Sequence, residues 1–287
     1  MPIIEPEDKT LYGLEGVHLW HANLSSCSQR VRVALAEKGE CFQSHLVDLS
    51  AGENASAEYQ RIHPKGLVPA IVIDGDLIIE SIDIIEEIDR RFSMGSLRPQ
   101  GDQRSLEMYD IMRRADKAQP HLKLLTFEFL FSAAPPPSKE ASENFQKNHK
   151  NDVLKKFHRE FADGFERDRI EASVNSCHDD FVQLDNVLSD GREFLAGDKF
   201  TLADIAWMPN VHRFLLFGWP LKNYRFLPRW FECVSARESY KKALLDWQPQ
   251  DLVDIVAPKI IARIEAGDGV QFYGRLEGWS GNGGPAA

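Results

Sequence analysis

A change of periodicity near residue 100 constrains this chain more than any other feature. Before it, short β-branched runs alternate with brief helical stretches; beyond it the β-branched runs stop and long helical periodicities take over. Val17-His-Leu-Trp20 reads as a short strand, followed by a polar loop from His21 to Ser26. From Cys27 a helix runs to Lys38, with Val31, Ala34 and Leu35 on one face and Arg30, Arg32 and Lys38 off it. Gly39 suits the position after it, where glycine enters the left-handed region without strain. Phe42 to Asp48 alternates as a second strand, and 56–61 is a short helical stretch. Val68–Ile73 and Leu77–Glu80 are two further strands, joined by the hairpin dipeptide Asp74-Gly75. Ser81 is placed to cap a helix over 82–92, with Ile82, Ile85 and Ile88 on one face. The order is β-α-β, a break, then β-β-α.

The second half predicts helices over 104–131, 151–188, 202–216, 227–235 and 252–265. Pro135-Pro-Pro137 is a stiff break, and Ser138–Lys155 has the polar composition of a mobile insertion. The first ten residues read as a polar leader, and the glycine-rich end from Gly278 as disordered. The expectation is an α+β chain: one α/β domain over 15–95, an all-helical domain over 103–265, and a disordered tail over 266–287.

Charge and composition exclude several classes of function. Lys and Arg number 34 against 44 Asp and Glu, a formal charge of -10. Nucleic-acid binding needs a basic surface to displace phosphate counterions, so no nucleic-acid partner is expected. No stretch approaches the roughly 20 apolar residues that span a bilayer, and the acidic start lacks a basic segment followed by an apolar one. Neither membrane insertion nor export is expected. Cys27, Cys41, Cys177 and Cys233 are widely and irregularly spaced, which fits reduced thiols in the cytoplasm and predicts no metal site.

Four motifs, in order, carry a resemblance. Leu19-Trp-His-Ala-Asn-Leu-Ser-Ser-Cys-Ser28 leads from a strand through a loop to a helix start bearing hydroxyls and a thiol. Gly66-Leu-Val-Pro69 leads into a strand, Glu80-Ser81 opens a helix, and Phe194-Leu-Ala-Gly-Asp-Lys-Phe-Thr-Leu-Ala-Asp204 has the form of a capping box before a core helix. Across residues 17–250 this arrangement resembles the cytosolic glutathione transferase superfamily. The resemblance implies a thioredoxin-like N-terminal domain, an all-helical C-terminal domain, a cis Val68-Pro69 bond and glutathione as cofactor.

Each motif then has a physical task. Val68, beside Pro69, offers its backbone N–H and C=O to a tripeptide pairing as an extra short strand. Glu80 accepts from the γ-glutamyl ammonium; Ser81, at a helix N-terminus, donates to the carboxylate with the helix dipole behind it. Lys65 is a further expected contact. A free thiol, with a pKa near 8.5, is only a few per cent ionised at neutral pH, so the site must lower it. Ser25, Ser26, Cys27 and Ser28 crowd the helix start, and the sequence leaves the choice among them open. Thr201 and Asp204 read as a structural capping pair.

The segment is also similar to two bacterial groups. Tetrachlorohydroquinone reductive dehalogenases match at Ser25 and Cys27, and lignin β-etherases match at Ser28. The implied activity is cleavage of β-aryl ethers of lignin-derived aromatics by glutathione. A reductive dehalogenase or thiol transferase using Cys27 is one alternative, and a non-catalytic glutathione-binding subunit is the other. Phe127, Phe131 and Trp219 are the expected contacts for an aromatic substrate. The superfamily resemblance further implies a homodimer or a heterodimer with a related subunit.

Overall fold

The computed structural model describes residues 3–134 and 136–281, and the side chains of all of these but 251 and 252. In chain order come β1 (Ile3–Ile4), β2 (Val17–His21), α1 (Ser26–Glu37), β3 (Gln43–Leu46), α2 (Ala57–Ile62), β4 (Ala70–Ile73), β5 (Asp76–Ile79) and α3 (Ser81–Arg91). Among the described residues nine helices follow: α4 (Asp102–Lys117), α5 (Gln119–Phe129), α6 (Lys139–Asn148), α7 (Asp152–Asp163), α8 (Arg167–Val187), α9 (Leu202–Leu216), α10 (Leu227–Ser235), α11 (Glu238–Ala243) and α12 (Gln250–Glu265). Two compact units result. The first runs to Gly95 and includes Pro136–Asp163 and Lys241–Gln248; the second holds 96–134, Gly164–Tyr240 and the chain from Pro249.

In the first unit one sheet has the order β1-β5-β4-β2-β3. β2 and β3 are parallel, joined through α1, while β2–β4 and β4–β5 are antiparallel. The β4–β5 turn is Asp74-Gly75, with φ of 50° and 84°, the positive values a two-residue hairpin requires. A Cβ on Gly75 would lie 2.8 Å from the carbonyl oxygen of Tyr12, so only glycine fits there. The expected leader is part of the fold. Ile3 and Ile4 pair with Ile78 and Leu77 as the edge strand β1, and Leu11 is buried in the short turn that follows. Two apolar residues in a polar context are too short a run to read as a strand, yet they suffice to cover an edge.

Two further expectations are corrected in this unit. Arg30 and Arg32 lie off the apolar face of α1 but are interior, because α1 is enclosed on every side from Ser28 to Leu35, and Lys38, its C-cap, is buried as well. Lys38 meets the buried Asp89 of α3 at 2.7 Å. The polar stretch 138–155 is not a loose insertion. α6 and α7 place Phe145 and Leu154 against Ala55 and Leu67, and Gln60 binds the chain at Asn148 and Lys150. Three buried apolar side chains, Phe145, Leu154 and Phe157, are enough for a pair of surface helices rich in charge.

In the second unit α9 is buried from Leu202 to Phe214. The capping box read from the sequence is formed: Thr201 and Asp204 satisfy each other's backbone groups at the start of α9. The tail is ordered through 281, against expectation. Trp279 packs on His178 and Tyr224 at 4.7 and 4.6 Å, and Arg275 meets Asp179 with both guanidinium arms. Residues 282–287 of that predicted tail lie outside the described residues. Among the described residues no helix is long and apolar enough to cross a membrane.

Candidate active site

The start of α1 is built around Ser25, its N-cap, whose Oγ accepts the Ser28 N–H at 3.2 Å. The first turn of the helix, with the positive end of its dipole, lies beside half-buried Ser25, Ser26 and Cys27. Cys27 is a free thiol. Ser28 does not belong with them. It has no exposed surface, and its Oγ accepts the Ala22 N–H at 3.3 Å, so it braces the loop from inside.

Behind this loop sits Arg32. Its Nη1 donates to the carbonyl of Ala22 and to Nδ1 of His21, its Nη2 to the carbonyl of Asn23, and its Nε to the carbonyl of Ala243. The guanidinium lies 5.1 Å from the Trp247 ring. Every hydrogen-bond acceptor is neutral. Burial lowers the Arg32 pKa to about 9, so the group remains cationic at neutral pH. His21 is held neutral: burial first, then the Arg32 charge, bring its pKa to about 3. Because Nδ1 accepts from Arg32, the ring proton is on Nε2, which donates to Ser44 Oγ at 2.8 Å. A buried cation thus holds the two carbonyls that lead into Ser25.

The second group of candidates lies on the loop between α2 and β4 and at the start of α3. Val68-Pro69 is cis. Tyr59 donates its hydroxyl to the Leu67 carbonyl at 2.5 Å, and among the described residues the backbone N–H and C=O of Val68 have no partner. Lys65 Nζ meets Glu80 Oε1 at 2.5 Å, and the Lys65 N–H donates to Nδ1 of buried His63. Ser81 is not the cap of α3 but its first residue; the cap is Glu80, at φ 67°. A non-glycine residue in that region is strained, and such strain is concentrated at functional sites. Here it turns the chain so that an acid and a hydroxyl sit together at a helix N-terminus. Arg30 Nη1 donates to Ser81 Oγ at 3.1 Å, occupying a lone pair and leaving the hydroxyl proton to donate elsewhere. An ammonium acceptor, carboxylate donors and an unpaired strand-like backbone are the donor set a γ-glutamyl tripeptide needs.

In the helical unit Phe127 and Phe131 form an edge-to-face pair, ring centres 5.1 Å apart, both half-buried. The Arg213 guanidinium lies 5.9 Å from the Phe131 ring. Trp219 stands elsewhere. It is 3% exposed and packed among Phe181, Phe214 and Tyr224, so it is core and not a substrate contact. A tryptophan between glycine and proline marks a turn in the sequence, and a turn can fold inward. Sequence reasoning missed Arg32, His21, Tyr59 and Trp247. The signal for Arg32 was its place inside Val31-Arg-Val-Ala-Leu35, where a charge amid apolar residues on both sides implies burial. Among the described residues no cluster of three or more His, Cys, Asp or Glu is arranged to hold a metal.

Residues 24–91 match the family model for the glutathione S-transferase N-terminal domain, and 167–243 match that for the C-terminal domain. Glutathione S-transferase Z1 of Arabidopsis thaliana is 26% identical over 83% of this chain and 95% of its own. The tetrachloro-p-hydroquinone reductive dehalogenase of Sphingobium chlorophenolicum is 22% identical over 79% and 95%. The crystal structure of β-etherase LigF from Sphingobium sp. strain SYK-6 superposes with a TM-score of 0.70 at 24% identity, covering 79% of this chain and 98% of that one. This chain belongs to the glutathione S-transferase family, with glutathione as its cosubstrate.

Proposed function

We propose that this enzyme uses the glutathione thiolate to cleave β-aryl ethers of lignin-derived aromatic ketones. The observation that carries the thiolate chemistry is the α1 N-terminus, capped by Ser25 and backed by the buried Arg32 cation. Making thiolate the major form at neutral pH takes a shift of about two pKa units, roughly 2.7 kcal/mol. A hydroxyl hydrogen bond, first-turn N–H groups and a nearby cation are the means by which proteins supply it. The fold likeness to LigF supports an aryl ether as the electrophile.

In this reading Glu80 takes the γ-glutamyl ammonium and Ser81 the carboxylate, with Lys65 as a further contact. Val68 pairs with the cysteinyl backbone, and Pro69 fixes the turn beside it. Ser25 donates to the sulfur. The sulfur attacks the carbon that bears the aryloxy group, next to the ketone. A C–S bond forms as the C–O bond breaks, and the phenoxide leaves and takes a proton from water. The adjacent ketone activates that carbon; the enzyme supplies orientation and an ionised nucleophile. Phe127 and Phe131 offer an aromatic surface for the substrate ring. A cytoplasmic dimer, of this chain with itself or with a related subunit, completes the proposal.

Incubation with glutathione and a β-aryl ether ketone is expected to release free phenol and a glutathione thioether, at a rate that Ser25→Ala cuts about tenfold or more. A second reading is supported by half-buried Cys27 in the first turn and by the likeness to the dehalogenase. There Cys27 forms a mixed disulfide with glutathione in dehalogenation or thiol transfer. Cys27→Ser separates the two: ether cleavage survives it, whereas disulfide exchange does not. Glutathione binding by calorimetry without turnover of any aryl ether or halide would instead favour a non-catalytic binding subunit.

A further inference from the structure

The α6–α7 segment touches the loop that ends at Val68. His149, just beyond α6, is 1% exposed. Its Nδ1 accepts the Asn151 N–H at 3.0 Å, so in the neutral ring the proton is on Nε2. Burial, the largest influence on its pKa, disfavours the charged form. Nε2 donates to the Gly66 carbonyl at 3.2 Å, and Asn54 Nδ2 donates to the same oxygen at 2.8 Å. The approach is close. A Cβ on Gly66, whose φ is 59°, would lie 2.6 Å from the imidazole nitrogen.

The neighbouring residues are secured in the same way. The Leu67 side chain packs with Ala55, Phe145 and Leu154, and its carbonyl takes the Tyr59 hydroxyl. Gln60 grips both sides of His149, donating to the Asn148 carbonyl at 3.0 Å and accepting the Lys150 N–H at 2.8 Å. Two consecutive carbonyls are therefore fixed immediately before Val68. The Pro136–Asp163 segment lies outside both family-model matches, so this support is additional to the matched halves of the chain.

We propose that the α6–α7 segment is a built-in support for the glutathione-binding loop, with His149 as its positioning residue. The inference rests on the reading that Val68 pairs with the glutathione backbone. A loop held in its binding conformation loses less freedom when the tripeptide docks, so the support acts on affinity for glutathione more than on the chemical step.

The test uses the full chain with His149→Leu and His149→Gln, glutathione titrated by calorimetry, and kcat and KM for glutathione measured with the aryl ether ketone. His149→Leu is expected to raise the glutathione Kd and KM about tenfold, with the loss falling on KM rather than kcat. His149→Gln, whose amide nitrogen reaches the Gly66 carbonyl, is expected to restore most of it. Should His149→Leu fail to fold, Gln60→Ala removes the grip on 148 and 150 from the other side and is expected to raise Kd about threefold. Folded variants that bind glutathione as the wild type does, or a loss in kcat that glutamine does not rescue, would overturn the support. A wild-type chain that binds no glutathione would overturn the underlying reading as well.

Discussion

α1 and α9 are both buried along most of their length, and they solve burial in opposite ways. α9 is mostly apolar; its Asp204 accepts from Leu195 N, Thr201 N, Thr201 Oγ1 and Trp230 Nε1, all within 3.0 Å. Its Asn210 donates to the Ala115 carbonyl. These partners are parts of the scaffold. α1 encloses Arg30 and Arg32, whose donors reach Ser81 and the carbonyls of Ala22 and Asn23. Those partners are the candidate site and the loop that leads into it. Burying a charge is costly unless it is well bonded. One helix directs Asp204 and Asn210 at the fold and the other directs Arg30 and Arg32 at the candidate site, so substitutions at these residues should fail differently.

The largest effect is expected at Asp204. Asp204→Ala leaves four donors without their acceptor in a dry interior, a loss of about 3–5 kcal/mol of stability. Thermal or denaturant melting measures it, and the glutathione affinity of the folded fraction should stay near wild type. A variant of normal stability with weakened glutathione binding would break the contrast.

Arg32→Met is next. It strips the cation from behind Ser25 and is expected to move the rising limb of the pH–rate profile up by about one unit, with about a tenfold loss of turnover at neutral pH. Arg32→Lys keeps the charge but not the forked bonding, and should recover the pH limb better than the rate. If melting changes while the pH profile does not, Arg32 is a scaffold residue like Asp204.

The comparison also explains what the sequence made legible. The β-α-β and β-β-α order, the Asp74-Gly75 hairpin and the capping box at Thr201 rest on local backbone preferences, and local preferences are written in short motifs. The start of α3 at Glu80-Ser81 and the cis bond after Val68 rest on backbone geometry too, although the cap of α3 is Glu80 and not Ser81. Ser28 and Trp219 were not: a serine at a helix start or a tryptophan at a turn can face inward or outward, and tertiary packing decides. Amphipathic reading placed Arg30, Arg32 and Lys38 off the core because it assumes that one face is solvated, and α1 has no solvated face over that stretch. Residues 3–13 and 138–155 were missed because each docks through only a few apolar contacts.

An effect seen only on acidification sharpens the Arg32 side of the contrast. His21 is held neutral down to about pH 3, against an ordinary value of 6.5. Between those values the unfolded chain binds a proton that the folded one does not, so stability is complete above pH 6.5 and falls as the pH is lowered towards 3. The slope is at most about 1.4 kcal/mol per pH unit for this group. His63, lowered to about 4 mainly by burial, adds in the same direction. His21→Gln should flatten the decline in denaturant midpoint from neutral to acid pH. An unchanged slope would mean that His21 is not held neutral in the folded chain.

The smallest effect is expected at Lys65, which tests the contrast at the surface. Its pair with Glu80 is exposed, with 58% and 47% of the two side chains accessible, so solvent and salt screen it in a way they cannot screen α1. Lys65 holds one oxygen of Glu80; in the proposed site the other takes the γ-glutamyl ammonium. Lys65→Ala is expected to raise the KM for glutathione by about two- to threefold at low ionic strength. The difference from wild type should vanish in about 0.5 M salt, where the Debye length is shorter than the side chain. A tenfold loss that salt does not touch would place Lys65 with the buried cations of α1 rather than with ordinary surface charge.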